Sequence, residues 1–123
     1  MTVHTDFHKD TWELYKSLEM AKQLTTGETL ARLGDEHPEI VALCADLGKP
    51  TRIYEFGKKF PDRFFNFGIA EKNMVTAAAG LASTGKIPFV STYASFLGIL
   101  AAENIRTAVA YPNLNVRLVG THT

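Results

Sequence analysis

Residues 63–74, RFFNFGIAEKNM, join a short aromatic segment directly to an alanine-rich one. Phenylalanines alternate with Asn66 in the first part, which favours a strand, while residues 69–84 favour a helix that Gly85 would end as a C-cap. A strand that turns at once into a helix is the repeating unit of a parallel α/β sheet. The turn between them contains a single acidic residue, Glu71, and its presence there needs an explanation.

Three further segments are predicted to be strands of the same sheet: IVALCAD (40–46), IPFVSTY (87–93) and VRLVGT (116–121). The first is almost wholly apolar, which is typical of a strand buried on both faces. Alternation of these strands with helical segments predicts an open parallel sheet with helices on both faces. The chain ends two residues after the fourth strand, so we expect a sheet that is incomplete at its C-terminus or completed by a partner.

The other helices are predicted from apolar spacing. A helix is expected from Thr11, with Trp12, Tyr15, Leu18 and Leu24 on one face, through to Arg32 and ended by Gly34. Residues 53–60, IYEFGKKF, are expected to be short and helical or irregular, and residues 95–110 form the last helix. We interpret residues 1–123 as one domain with a flexible lead over residues 1–9.

Composition restricts the function classes. The 13 basic and 13 acidic residues cancel, and no basic patch argues for nucleic acid. The amino terminus lacks the apolar run of a signal peptide, and no apolar run is long enough to cross a bilayer. The one cysteine, Cys44, lies in a core-like strand, which indicates a reducing compartment. We therefore expect a cytoplasmic protein that binds neither nucleic acid nor membrane.

Ligands of open parallel sheets bind at the carboxyl ends of the strands. Here those ends carry two carboxylates, two aromatic rings, several hydroxyls and an imidazole. Each also has an ordinary structural explanation: the helix dipole favours an acidic residue in a first helical turn, an aspartate can cap a loop, aromatic rings fill cores, and a histidine near a chain end is solvated. The residue types alone leave both interpretations open for Asp46, Glu71, Tyr93, Phe96 and His122.

Longer motifs favour the functional interpretation. The run FNFGIAEKNM followed by AAGLA, then FVSTYASF and YPNLNVRLVGTHT, with ALCADL before them, resembles the pyrimidine-binding domain of transketolases and of the similar deoxyxylulose phosphate synthases. The likeness extends from about residue 20 to the end of the chain. Within that family it is similar to the carboxyl-terminal half of split transketolases, whose two halves are separate polypeptides.

The resemblance implies a role for each candidate residue. Glu71 matches the glutamate that hydrogen-bonds the aminopyrimidine of thiamine diphosphate and favours the tautomer that activates the thiazolium carbon. Tyr93 and Phe96 match rings that stack on the aminopyrimidine, an offset stacking that contributes about 1 kcal/mol per ring. Asp46 matches an aspartate near the cofactor, and His122 a histidine that contacts the sugar substrate.

The sequence departs from the family pattern at three places. A third aromatic position falls on Ile99, so that wall of the pocket is aliphatic. A substrate-phosphate arginine falls on Lys22 in an alignment that differs in length by one residue. The glycine-rich loop and second histidine that normally follow the THx motif in the family are absent because the sequence stops at Thr123. Substrate contacts are therefore less well defined by the sequence than cofactor contacts.

The resemblance also implies partners. Gly34-Asp35-Glu36 is not the Gly-Asp-Gly motif that binds the diphosphate through Mg²⁺ or Ca²⁺, and no His/Cys cluster offers a zinc site. The metal is thus expected mainly in an amino-terminal, diphosphate-binding subunit, with further self-association through this domain. The implied activity is ketol transfer between sugar phosphates. The alternatives are part of a deoxyxylulose phosphate synthase-like or 2-oxo acid dehydrogenase-type thiamine enzyme, or a non-catalytic α/β assembly module.

Overall fold

The computed structural model of the chain describes residues 25–122. Its four strands form one sheet in the order β2-β1-β3-β4, and every neighbouring pair is parallel. This confirms the open parallel sheet that the sequence predicts. The strands are β1 (Ile40–Cys44), β2 (Phe64–Asn66), β3 (Ile87–Tyr93) and β4 (Arg117–Thr121).

Helices cover both faces of this sheet. One face packs against α1 (Thr26–Glu36) and α2 (Tyr54–Lys59), through a cluster that includes Leu30 and Phe56. The other face packs against α3 (Glu71–Ser83) and a mixed helix over residues 96–110. The central strand β1 contributes alternate residues to the two clusters and is buried throughout, as predicted.

The first described helix, α1, begins with a capping box. The Thr25 hydroxyl accepts from the Glu28 backbone N–H, and the Glu28 carboxylate accepts from the Thr25 backbone N–H. The prediction that Gly34 ends this helix is wrong, because α1 continues to Glu36. Gly34 is instead a contact point, since a Cβ there would lie 2.5 Å from the Phe60 ring. The predicted helical face before Thr25, the lead over residues 1–9 and Lys22 lie outside the described residues.

The mixed helix differs from the regular helix that the sequence predicts over residues 95–110. Two π-helical stretches, Phe96–Leu100 and Ile105–Ala110, flank one α-helical turn, α4 (Ala102–Asn104). In the π stretches the Ala101 N–H donates to the Phe96 carbonyl, five residues back. Glycine and β-branched residues in this segment have low α-helix propensity, so the local preference for a regular α-helix is weak.

Smaller boundaries differ from the prediction at the end of β1 and at the start of α3. Strand β1 ends at Cys44 rather than Asp46, because Asp46 has a φ of 60°, which no strand residue adopts. Helix α3 begins at Glu71 rather than near Ile69. The residue after its C-cap is Gly85, with a φ of 87°, which fits the predicted C-terminal position.

A membrane-spanning helix is not found among residues 25–122, where each helix is too short or too polar to cross a bilayer.

Candidate functional site

The carboxyl ends of the four strands form one edge of the sheet, which we name the carboxyl edge (residues 44–46, 66–71, 91–96 and 120–122). The strand order places the loop after β1 beside the end of β3 at the centre of this edge. The chain leaves β1 toward β2 on one side and leaves β3 toward β4 on the other, so the two central loops diverge. Ligands bind at such a switch point in open α/β sheets.

Glu71 is the first residue of α3, at its amino-terminal end. Its side chain is buried, with 7% of the residue exposed. Within residues 25–122 no side-chain hydrogen bond to its carboxylate is found, and the four ion pairs in this part of the chain use other acidic residues. The helix dipole favours negative charge at this position. Among the described residues the carboxylate therefore has no partner that would compete with a ligand.

The turn before Glu71 is compact. Gly68 has a φ of 67°, and the Ala70 N–H donates to the Gly68 carbonyl at 2.8 Å. Ala70, the N-cap of α3, supplies no side-chain capping bond. The free N–H groups at the start of α3 therefore keep their favourable electrostatic effect on Glu71 rather than being neutralised by a capping side chain.

Asp46 follows β1 in a left-handed backbone conformation, with a φ of 60°. Its N–H donates to Asn66 Oδ1 at 3.0 Å, across to the end of β2. The same oxygen accepts from the Gly68 N–H, also at 3.0 Å. Asn66 therefore connects the loop that carries Asp46 to the turn that leads to Glu71.

An open cleft of about 370 Å³ lies at this end of β1 and β2, lined in part by Asp46, Lys49, Tyr54 and Asn66. The Cys44 thiol contributes to its wall but is almost completely buried. Burial raises the pKa of the Cys44 thiol, although backbone N–H groups of the following loop oppose that change. The sulfur is therefore a packing atom in its protonated form, which agrees with the core position expected from the sequence.

The aromatic candidates form one cluster at the end of β3. The Tyr93 ring lies between two others, with centroid distances of 5.7 Å to Phe96 and 4.5 Å to His122. Tyr93 and Phe96 are half-buried rather than part of the core, and His122 is exposed. His122 has a φ of 55°, and its Nδ1 is 2.8 Å from the Thr121 hydroxyl. The cluster offers apolar ring surface at the switch point, suitable for a flat heterocycle.

Two residues with hydroxyl side chains immediately precede Tyr93 on β3. Ser91 and Thr92 are fully buried, and neither side-chain oxygen has a hydrogen-bond partner within the described part of the chain. Ser91 lies in register with Cys44, and Thr92 with Gly120. Unpaired buried hydroxyls are unfavourable in a finished core, so they add to the unsatisfied polar groups at the carboxyl edge.

Within residues 25–122 no three His, Cys, Asp or Glu side chains are grouped so that they could hold a metal ion. The donor set instead fits an organic ligand: a buried carboxylate that can share a proton with a ring nitrogen, and ring faces that can stack on it. On these two observations the aminopyrimidine of thiamine diphosphate fits the carboxyl edge.

The structure thus places all five sequence-predicted residues on the carboxyl edge. It brings the three aromatic rings into contact and gives Asp46 a bond to the strand that precedes Glu71. Sequence reasoning missed the bridging role of Asn66. Its only signal was a polar residue at the last position of a strand, and such a residue has no obvious partner until the register of β1 and β2 is known.

Comparison with known proteins gives a family match over residues 19–123, to the model described as transketolase, pyrimidine binding domain. A relative named as a transketolase C-terminal section, from Methanocaldococcus jannaschii, is 53% identical over 78% of this chain. A 1-deoxy-D-xylulose-5-phosphate synthase of Desulfotalea psychrophila is 40% identical over 91% of the chain. The chain spans 30% of the first relative and 17% of the second.

A solved structure is similar as well. Its description is split gene transketolase, inactive beta4 tetramer, and it matches with a TM-score of 0.71 and 53% sequence identity. The match covers 78% of this chain and 32% of that one. The parallel sheet and its helices are therefore those of a transketolase pyrimidine domain.

Proposed function

Because this chain belongs to the transketolase family through its pyrimidine-binding domain, we propose that it is the coenzyme-activating part of a thiamine diphosphate-dependent transketolase. Its reaction would move a two-carbon ketol unit between sugar phosphates. The observation that carries this proposal is Glu71, a carboxylate that is 7% exposed at a helix amino terminus without a partner among residues 25–122.

Each of the five candidate residues has a defined task in this proposal. The Glu71 carboxylate accepts a hydrogen bond from, and shares a proton with, a ring nitrogen of the aminopyrimidine. Tyr93 and Phe96 stack on that ring and exclude water from it, which strengthens the contact with Glu71. Asp46 places negative charge near the cationic thiazolium, and His122 donates to a hydroxyl of the sugar substrate.

Bound thiamine diphosphate would supply the nucleophilic carbon of the reaction. The diphosphate and its Mg²⁺ or Ca²⁺ would be held mainly by a separate amino-terminal subunit. Support for a partner comes from the relative named as a C-terminal section and from the split-gene structure, whose description states that its β4 tetramer is inactive. This chain alone is thus expected to be inactive.

A second candidate, a deoxyxylulose phosphate synthase-like enzyme, is favoured by the 40% identity that extends over 91% of the chain. It would use the same glutamate but start from decarboxylation of a 2-oxo acid. An assay of the assembled complex separates the two, because only the second candidate releases carbon dioxide from pyruvate.

The test uses Glu71→Gln in the chain mixed with a diphosphate-binding transketolase subunit. Loss of the proton-sharing carboxylate is expected to lower kcat by about 100-fold or more. The Tm of the Glu71→Gln chain alone is expected to equal or exceed that of the unmodified chain, because burial of an amide costs less free energy than burial of a carboxylate.

Glu103→Gln is the matched control, since Glu103 is an exposed residue of the mixed helix. It is expected to keep full activity. The assigned role of Glu71 is wrong if Glu71→Gln and the control have similar turnover. A module that only assembles would show no thiamine diphosphate binding in a titration of the same complex, or binding without exchange of the coenzyme proton.

A further inference from the structure

Asn66 lies at the last position of β2, in register with Cys44 on β1. The ladder between the two strands ends there, apart from one bond in which the Phe67 N–H donates to the Cys44 carbonyl at 2.9 Å. Beyond this point backbone pairing no longer fixes the separation of the two loops. The loop after β1 carries Asp46, and the turn after β2 leads to Glu71.

The Asn66 side chain extends the connection past the end of the ladder. Its Oδ1 accepts one hydrogen bond from the Asp46 N–H and one from the Gly68 N–H, each at 3.0 Å. The bond to Gly68 is local, within two residues. The bond to Asp46 joins groups 20 residues apart in the chain, so a single oxygen holds both loops.

Both donors belong to residues with a left-handed backbone. Asp46 has a φ of 60° and Gly68 a φ of 67°. An aspartate in that conformation is disfavoured relative to the ordinary regions, so it persists only where surrounding contacts hold it. The Asn66 amide oxygen is such a contact, because it binds the N–H of the strained residue itself. Without it, the loop could relax and carry the Asp46 carboxylate to a new place.

We propose that Asn66 is a positioning residue, which fixes the Asp46 loop relative to the turn before Glu71 through the two hydrogen bonds accepted by its Oδ1. It touches neither coenzyme nor substrate in this scheme. Its effect on the reaction rests on the proposed function, since it matters there only if Asp46 and Glu71 act on one bound coenzyme. Its effect on the two loops is independent of any function.

The first experiment measures amide hydrogen exchange by NMR on the chain alone, for Asn66→Ala, Asn66→Asp and Asn115→Ala. In Asn66→Ala, exchange is expected to accelerate at both Asp46 and Gly68, by roughly fivefold or more, the factor that loss of one ordinary hydrogen bond produces. In Asn66→Asp a carboxylate oxygen replaces the amide oxygen as acceptor, so both amides stay protected.

Asn115→Ala is the matched control, because Asn115 is an exposed loop residue before β4, at the opposite edge of the sheet. It should change neither amide. If amide exchange in Asn66→Ala accelerated at Gly68 alone, Asn66 would act only within its own turn, and the proposal would be overturned. Unchanged exchange at both amides would overturn it as well.

The second experiment uses the complex with a diphosphate-binding subunit and measures the thiamine diphosphate Kd and kcat separately. Asn66→Ala is expected to weaken coenzyme binding or lower kcat by about 10- to 100-fold through misplacement of the two carboxylates, and Asn66→Asp to recover most of it. Accelerated exchange with an unchanged Kd and kcat would overturn the positioning role. Failure of Glu71→Gln to affect turnover would instead disprove the proposed function and leave the exchange result standing.

Discussion

The α1–α2 layer, formed by α1, α2 and the segments that pack on them (residues 25–39 and 51–63), differs from the carboxyl edge in how its polar groups are satisfied. In the layer, Thr25 and Glu28 cap α1 reciprocally. Arg63 donates to the carbonyls of Gly34 and His37 and lies 3.7 Å from the centroid of the Phe60 ring. The end of α1 therefore has side-chain partners of its own.

The carboxyl edge has the opposite character. Ser91 and Thr92 are buried there, and their hydroxyl oxygens have no partner among the described residues. The buried Glu71 likewise takes part in none of the ion pairs of residues 25–122. Left-handed backbone does not separate the two regions, because Arg52 in the layer has it as well as Asp46 and His122 at the edge. Buried groups without a partner reduce stability. We therefore expect substitutions in the layer to change stability more than substitutions at the edge, and substitutions at the edge to change ligand binding if the proposed function is correct.

Gly27→Ala tests this contrast with the largest expected effect on stability. A Cβ at Gly27 would lie 1.9 Å from the Arg52 carbonyl oxygen, a backbone atom that no rotamer change can move away. We expect the free energy of unfolding to fall by about 3 kcal/mol, measured by chemical denaturation of the chain.

Gly80→Ala is the matched control in a helix, because nothing lies within 4 Å of a Cβ at Gly80. It should stabilise the chain by about 0.5–1 kcal/mol. If both substitutions stabilised the chain, the close contact of α1 with the Arg52 loop would be wrong, and with it the description of the layer as tightly packed.

The sequence predicted much of the fold, but not all of it. Apolar runs and turn residues located all four strands, because a buried parallel strand is a local pattern. The predicted end of α1 was wrong, because a glycine in this local sequence is typical of a helix end. Gly34 is instead required by Phe60, which packs against it from 26 residues away in the sequence. The π-helical hydrogen bonding of residues 96–110 has no sequence period that distinguishes it from an ordinary helix.

The candidate site shows the same division between residues that a local pattern indicates and residues whose role depends on contacts between distant parts of the chain. Glu71, Tyr93 and His122 were selected as candidates through motifs, since each stands in a run of sequence that resembles a known family. Asn66 was not found, because its role depends on which strand lies beside β2 and on the register between them. Three-dimensional pairing of this kind is not present in any local pattern.

Gly68→Ala tests the carboxyl edge, and it should have a smaller effect on stability than Gly27→Ala in the α1–α2 layer. Nothing lies within 4 Å of a Cβ at Gly68, so the cost arises only from its φ of 67° and should be about 1 kcal/mol. Gly85→Ala is the control: Gly85 has a φ of 87° in equally open space, at the other end of α3.

The two variants should unfold at similar denaturant concentrations. In the assembled complex, only Gly68→Ala should weaken thiamine diphosphate binding, because only Gly68 belongs to the turn before Glu71. Equal coenzyme affinities for both variants would contradict the assignment of the carboxyl edge as the ligand site.

Glu28→Gln should have the smallest effect on stability of these variants. The pH dependence of its Tm tests the capping box at the start of α1. Hydrogen bonds from the Thr25 backbone and hydroxyl, with a smaller contribution from the Arg52 charge, lower the pKa of Glu28 below its ordinary value of 4.5. A lowered folded-state pKa means that the carboxylate stabilises the fold above the unfolded-state pKa, and that this stabilisation is lost as the pH falls through the folded-state pKa.

The Tm of Glu28→Gln should therefore lie below that of the unmodified chain at neutral pH. The two should converge as the pH falls below the ordinary value of 4.5 and through the lowered folded-state pKa. Because Glu103→Gln removes an exposed carboxylate with no hydrogen-bond partner in the described part of the chain, its Tm should follow the unmodified chain throughout. A constant Tm difference for Glu28→Gln across this range would mean that the cap of α1 does not depend on the charge of Glu28.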